Sequence, residues 1–108
     1  MIYELRTYEA APGKLGALHA RFRDHTLRIF ARHGLGVVGF WTYAHGGGSD
    51  QLFYMMKFED MADRARKWAS FLADEEWRNV VAESHRDGSL TTRVRSDILA
   101  PAHYSPLP

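Results

Sequence analysis

Cysteine is absent from the sequence, which removes disulfides, thiolate metal sites and a cysteine nucleophile together. No apolar run approaches the roughly twenty residues that span a bilayer, and Met1 leads straight into a strand pattern without the basic stretch and apolar core of a secretory signal. No membrane partner is expected, and the expected location is cytoplasmic. An excess of one charge is missing too: 14 Lys and Arg face 13 Asp and Glu, for a net charge of +1. Interspersed charges of this kind make no strong field for nucleic acid, so none is expected as a partner. With only 4 Pro and 9 Gly among 108 residues, 45% hydrophobic and 25% charged, collagen-like, low-complexity and disordered readings fall away, and one globular domain remains.

Local patterning divides that domain. Ile2 to Tyr8 is β-branched or aromatic with charges only at Glu4 and Arg6 on one side of the pleat, which predicts a strand. Pro12 suits the first turn of a helix whose stripe runs Leu15, Leu18, Phe22, Ile29 and His33, with Arg21, Arg28 and Arg32 on the opposite side. Gly34 and Gly36 end it. Val37 to Ala44 and Leu52 to Phe58 read as strands joined by a hairpin loop carrying Gly46-Gly47-Gly48. Asp60 caps a second helix with Met61, Ala65, Trp68 and Leu72 as its expected buried stripe, and Asp74 starts a short third one that Asp87-Gly88 breaks. Leu90 to Leu99 alternates like an edge strand. Residues 1–100 thus form the domain, and 101–108, rich in proline, an extended tail.

The order β-α-β-β-α-(α)-β is that of a ferredoxin-like α+β fold, a four-stranded antiparallel sheet with its helices on one face. The second and third strands are apolar or aromatic on both faces, yet two helices cover only one. A second copy of the chain, packed sheet to sheet about a two-fold axis, is the expected cover, which makes a homodimeric α+β barrel with Trp41 buried.

Several short stretches, ordered along the chain, resemble one family: Tyr3-Glu4-Leu5-Arg6-Thr7-Tyr8, Pro12-Gly13-Lys14, Gly39-Phe40-Trp41, Phe58-Glu59 with Ala62 and Arg64, Glu76-Trp77, and Ile98-Leu99-Ala100-Pro101. On these the sequence resembles the NIPSNAP family of the dimeric α+β barrel superfamily, from Ile2 to about Pro101. The resemblance implies the same barrel fold. It implies no settled reaction, although the superfamily includes cofactor-independent monooxygenases of polycyclic aromatics, isomerases and heme-dependent members. Where relatives often carry a His and a Trp in the third strand, this chain has Tyr54 and Met56, and Gly46-Gly47-Gly48 stands where an Asn is common. No role of that histidine carries over.

Candidate chemistry is sparse. The six histidines invite a metal, but His19, His25 and His33 are spaced by six and eight, not the three or four that a helical ligand pair needs, so no metal and no cofactor are expected. The glycine run joins two strands and lacks a following helix N-terminus, which removes a phosphate loop. Arg6 and His33 are the candidate catalytic groups, with Tyr3, Arg6, His33, Trp41 and Tyr54 as candidate ligand contacts. Arg6 and Glu4 share one side of a central strand and must be neutralised, either by each other or, for Arg6, by an anionic ligand. His33 either contacts a ligand or bridges helix and sheet. Two functions stay open: binding or transformation of a small apolar or aromatic metabolite in a cleft between sheet and helices, by a monooxygenase-like or isomerase-like route if catalytic, or a non-catalytic homodimeric scaffold. Unpaired polar groups in the cleft would favour the first, and complete internal pairing the second.

Overall fold

A computed structural model describes all residues, Met1–Pro108. Four strands, β1 (Ile2–Ala10), β2 (Gly36–Trp41), β3 (Gln51–Phe58) and β4 (Thr91–Leu99), form one antiparallel sheet in the order β2-β3-β1-β4. β1 is therefore central and β4 an edge, as the sequence indicates. The helices are α1 (Leu15–Arg21), which runs through a π-helical turn at Phe22–Thr26 into α2 (Leu27–Arg32), then α3 (Met61–Leu72) and α4 (Glu75–Ser84). They pack on one face of the sheet, completing the ferredoxin-like α+β arrangement. None is long and apolar enough to cross a membrane.

The helix ends follow local chemistry. Asp60 and Asp74 cap α3 and α4 by accepting from the backbone N–H of Asp63 at 2.8 Å and of Trp77 at 3.0 Å. After α2 the chain reverses at Gly34, whose φ of 72° is costly for any side chain with a Cβ. Leu35 N–H then reaches Phe30 O at 3.0 Å and Gly34 N–H reaches Ala31 O at 3.2 Å, the paired bonds of a Schellman turn.

The core lies between sheet and helices and centres on Tyr54, Phe30, Phe58, Phe71, Leu18 and Ile29. Three details depart from the sequence pattern. Pro12 precedes the first helix in a turn, and the helix begins at Leu15. The π turn closes with Leu27 N–H donating to Phe22 O; its extra residue rotates the helix, so that Thr26 and Phe30 join Leu18, Phe22 and Ile29 inside. In α3 the inward face is Arg64, Trp68 and Phe71; of the expected stripe Trp68 is inward, while Met61, Ala65 and Leu72 are exposed.

The two faces of the sheet differ sharply. Glu4, Arg6 and Tyr8 of β1 and Leu52, Tyr54 and Met56 of β3 point to the helices. A bulge at Val38 lets both Val37 and Phe40 of β2 join them. The other face presents Leu5, Phe53 and Met55, with Trp41 beside Phe53 in register, and no helix covers it. Trp41 is 49% exposed. Its expected burial is not found within one chain, because the face it belongs to has no cover there.

Candidate functional site

The centre of the helix-facing sheet surface is a polar cluster built around Glu4, which is fully buried. Its carboxylate accepts from Arg6 Nη1 at 2.9 Å, from Arg64 Nε and Nη2 at 2.9 and 3.1 Å, from Trp68 Nε1 at 2.9 Å and from Ser96 Oγ at 2.6 Å. Burial alone would raise the Glu4 pKa, but the bonds from Arg64, Ser96, Trp68 and Arg6 outweigh it and bring it down to about 2. Arg6 is equally occupied: Nε donates to Tyr54 Oη at 2.8 Å and Nη2 to Tyr8 Oη at 3.3 Å, and Trp68 lies with its ring centroid 4.8 Å from the guanidinium carbon. Tyr8 and Tyr54 share a hydrogen bond of 3.0 Å. Burial pushes the Tyr54 phenol well above its ordinary 10.0, with Tyr8 adding to the shift and Arg6 opposing it. Tyr54 is therefore a neutral hydrogen-bonding group, not a phenolate base.

Of the two roles open to Arg6, the structure displays the internal ion pair. Each of its three guanidinium nitrogens donates one hydrogen bond within the chain, and its charge is matched by Glu4. Tyr54 joins Arg6 in this cluster. The other candidates do not. Tyr3 lies on the opposite sheet face, where its hydroxyl donates to the main-chain oxygen of Pro108 at 2.8 Å and the tail covers it. Trp41 stands at the β2 end, its ring over Gly39, where an added Cβ would lie 2.9 Å from it.

His33 leaves the sheet-facing stripe altogether, because the π turn rotates the end of the helix. It caps α2 and bridges to α3 and α4, with Nδ1 2.6 Å from Ser70 Oγ and Nε2 2.6 Å from Asp74 Oδ2. Bonds from His33, Arg32 and the Trp77 N–H hold the Asp74 carboxyl far below the usual range. This is a joint between helices, not between helix and sheet. No three His, Asp or Glu side chains are placed to share a metal ion.

Two cavities flank the first helix. The first, about 300 Å³, opens between the helix and the β2 end of the sheet and is walled by Phe22, Leu27, Phe40, Trp41 and Leu52, with His19, Arg23 and Thr42 as its polar members. The second, about 400 Å³, lies between the helix and α4 and includes Arg21 and Val80. Arg21 was expected on the solvated side with Arg28 and Arg32, but its side chain turns inward against Trp77. Its spacing carried the signal: Arg21 falls three residues after the buried Leu18 and so shares its side of the helix.

A four-stranded antiparallel sheet with its helices on one face, enclosing a saturated ion-pair cluster and an aromatic-walled cleft, defines the class as ferredoxin-like α+β. The fold is similar to an antibiotic biosynthesis monooxygenase at 9% identity, with a TM-score of 0.62 over 94% of this chain and 99% of that one. The NIPSNAP family model matches residues 3–106, and the chain belongs to the NIPSNAP family. A NIPSNAP family protein of unknown function from Agrobacterium tumefaciens is 29% identical, with a TM-score of 0.85 over 99% of this chain and 93% of that chain. Protein NipSnap homolog 3B of Mus musculus is 28% identical over 76 residues, 70% of this chain and 30% of the relative. The chain thus spans about a third of the length of the curated relatives it matches.

Proposed function

We propose that this chain works as a homodimer, each copy binding a small apolar or aromatic molecule in the cleft between the sheet and the first helix. The observation that carries this reading is the cavity of about 300 Å³ walled by Phe22, Leu27, Phe40, Trp41 and Leu52. Its size is at the lower end of ligand pockets, and its walls are aromatic and aliphatic with a few polar groups at the margin. Binding without transformation fits the neighbouring chemistry, since Glu4 and Arg6 are engaged with each other and with α3. The apolar face bearing Leu5, Phe53 and Met55, which no helix covers, supports the dimer, because a contiguous apolar patch of this kind marks an association surface.

The saturated Glu4 cluster also favours a second reading, a scaffold that binds no small molecule. Titration of naphthalene, followed by NMR of isotopically labelled protein, separates the two. Saturable shifts at Phe22, Leu27 and Phe40 that vanish in a Leu27→Trp variant, whose indole fills the cleft, are the expected result. Absence of such shifts up to the solubility limit of naphthalene would leave the scaffold.

A further inference from the structure

Arg21 is the one arginine of the first helix without a counter-ion. Its neighbours are all paired: Arg23 with Asp24 at 2.8 Å, Arg28 with Glu76 at 2.8 Å, and Arg32 with Asp74 at 2.8 Å and Glu76 at 2.9 Å. Arg21 instead reaches across to α4. Its Nη1 donates to Ser84 Oγ at 3.1 Å and approaches His85 Nε2 at 3.4 Å, and its guanidinium carbon lies 5.4 Å from the Trp77 ring centroid. Nε makes no hydrogen bond. It is the sole buried side-chain nitrogen or oxygen in the chain without a partner.

A guanidinium half-buried without an anion is disfavoured, since burial opposes its charge. For Arg21 burial lowers the pKa, and no carboxylate opposes that shift. The fold therefore holds a cation whose Nη2 is unbonded, beside a cavity of about 400 Å³. Ala17, Ala20, Val80 and Leu90 give the cavity apolar walls. Two acids, Asp24 and Glu83, also line it, but each is engaged by an arginine other than Arg21, at 2.8 Å by Arg23 and at 2.6 Å by Arg86. Arg21 is thus the uncompensated charge of the site. It is also the residue at which α-helical geometry gives way to the π turn, a distortion that recurs at functional sites.

We propose that this second cavity binds a small organic carboxylate, with its charged head on the unbonded Nη2 of Arg21 and its apolar body against Ala17, Ala20, Val80 and Leu90. A carboxylate supplies the anion that Arg21 lacks, through a charge-assisted hydrogen bond. The site shares no lining residue with the aromatic cleft and stands independently of that reading.

The test uses hexanoate, with hexanol as its uncharged counterpart, titrated into labelled protein. Hexanoate is expected to shift the signals of Ala17, Ala20 and Val80 saturably and to bind more tightly than hexanol. Arg21→Met should weaken hexanoate by about tenfold or more while leaving hexanol unchanged. Arg21→Lys keeps the charge but not the reach and direction of the guanidinium N–H, should restore only part of the affinity, and reports on the site if the Met variant fails to fold. Equal binding of hexanoate and hexanol to the wild type, retention of full hexanoate affinity by either variant, or no shift at these three residues would overturn the proposal. Shifts at Phe22, Leu27 and Phe40 alone would do the same while upholding the aromatic cleft.

Discussion

Arg64, in the first turns of α3, forks onto Glu4 of the central strand with Nε on Oε1 at 2.9 Å and Nη2 on Oε2 at 3.1 Å. The contact joins residues sixty positions apart and ties the second half of the chain to the first. Trp68, one turn further along α3, adds an indole N–H to the same oxygen as Nε, at 2.9 Å. Arg6 is one of several donors to this carboxylate, whereas the carboxylate is the single anion that Arg6 and Arg64 share.

That asymmetry ranks two substitutions. Glu4→Gln leaves Arg6 and Arg64 without an anion and should destabilise the fold by about 3 kcal/mol, the usual cost of removing one partner from a buried ion pair. Arg6→Met leaves Glu4 with its bonds from Arg64, Trp68 and Ser96 and should cost less, about 1–2 kcal/mol. Urea unfolding of both variants checks the order. A larger loss for Arg6→Met would place the weight of the cluster on Arg6 and its two tyrosines instead.

The same carboxylate makes stability depend on acid. Its pKa falls from the ordinary 4.5 to about 2 on folding, so the unfolded chain takes up its proton first. The stabilisation is complete above 4.5 and is lost as the pH falls through about 2. A depression of that size corresponds to at most about 3 kcal/mol. Glu76, held down to about 2 by Arg28 and Arg32, acts in the same direction from the surface. Unfolding free energies of the wild type and Glu4→Gln, measured across this range, should converge as the pH falls. A gap of constant size would show that the charge of Glu4 is not what stabilises the fold.

The sheet face that no helix covers carries the proposed dimer, and Met55 lies on it, paired in register with Leu5 on one side and Gly39 on the other. Sedimentation at micromolar concentration should return twice the chain mass of 12.4 kDa for the wild type. Met55→Lys should return the single chain with unchanged circular dichroism, because a charge pointing away from the core opposes the assembly and not the fold. A well-folded wild-type monomer would refute the sheet-to-sheet pairing.

Much of the fold was legible in short-range signals. The charges of Glu4 and Arg6 on one side of a pleat, the caps at Asp60 and Asp74 and the break after the first helix all depend on residues within a few positions of each other. Local sequence carries such effects in full. The pairing of Arg6 with Glu4 was legible for the same reason, being two residues apart on one strand.

Phase and partnership came only with the tertiary structure. The expected face of α3 placed Met61, Ala65, Trp68 and Leu72 inside by hydrophobicity alone; Trp68 is inside, but Met61 and Leu72 are exposed and Arg64 turns inward because the buried Glu4 needs its donors. The π turn shifts the helix by one residue at Phe22–Thr26, which carries His33 away from the sheet and to Asp74. No periodicity of the sequence shows that insertion. Arg21 illustrates both limits: its place on the inward side of the helix could be counted from Leu18, but the lack of a counter-ion depends on what α4, more than fifty residues later, sets opposite it. Composition and local pattern determined which segments are helix and strand, since those choices are settled by neighbours in the chain. Which charges remain unpaired beside a cavity was decided by packing between distant elements, where burial makes each missing partner costly.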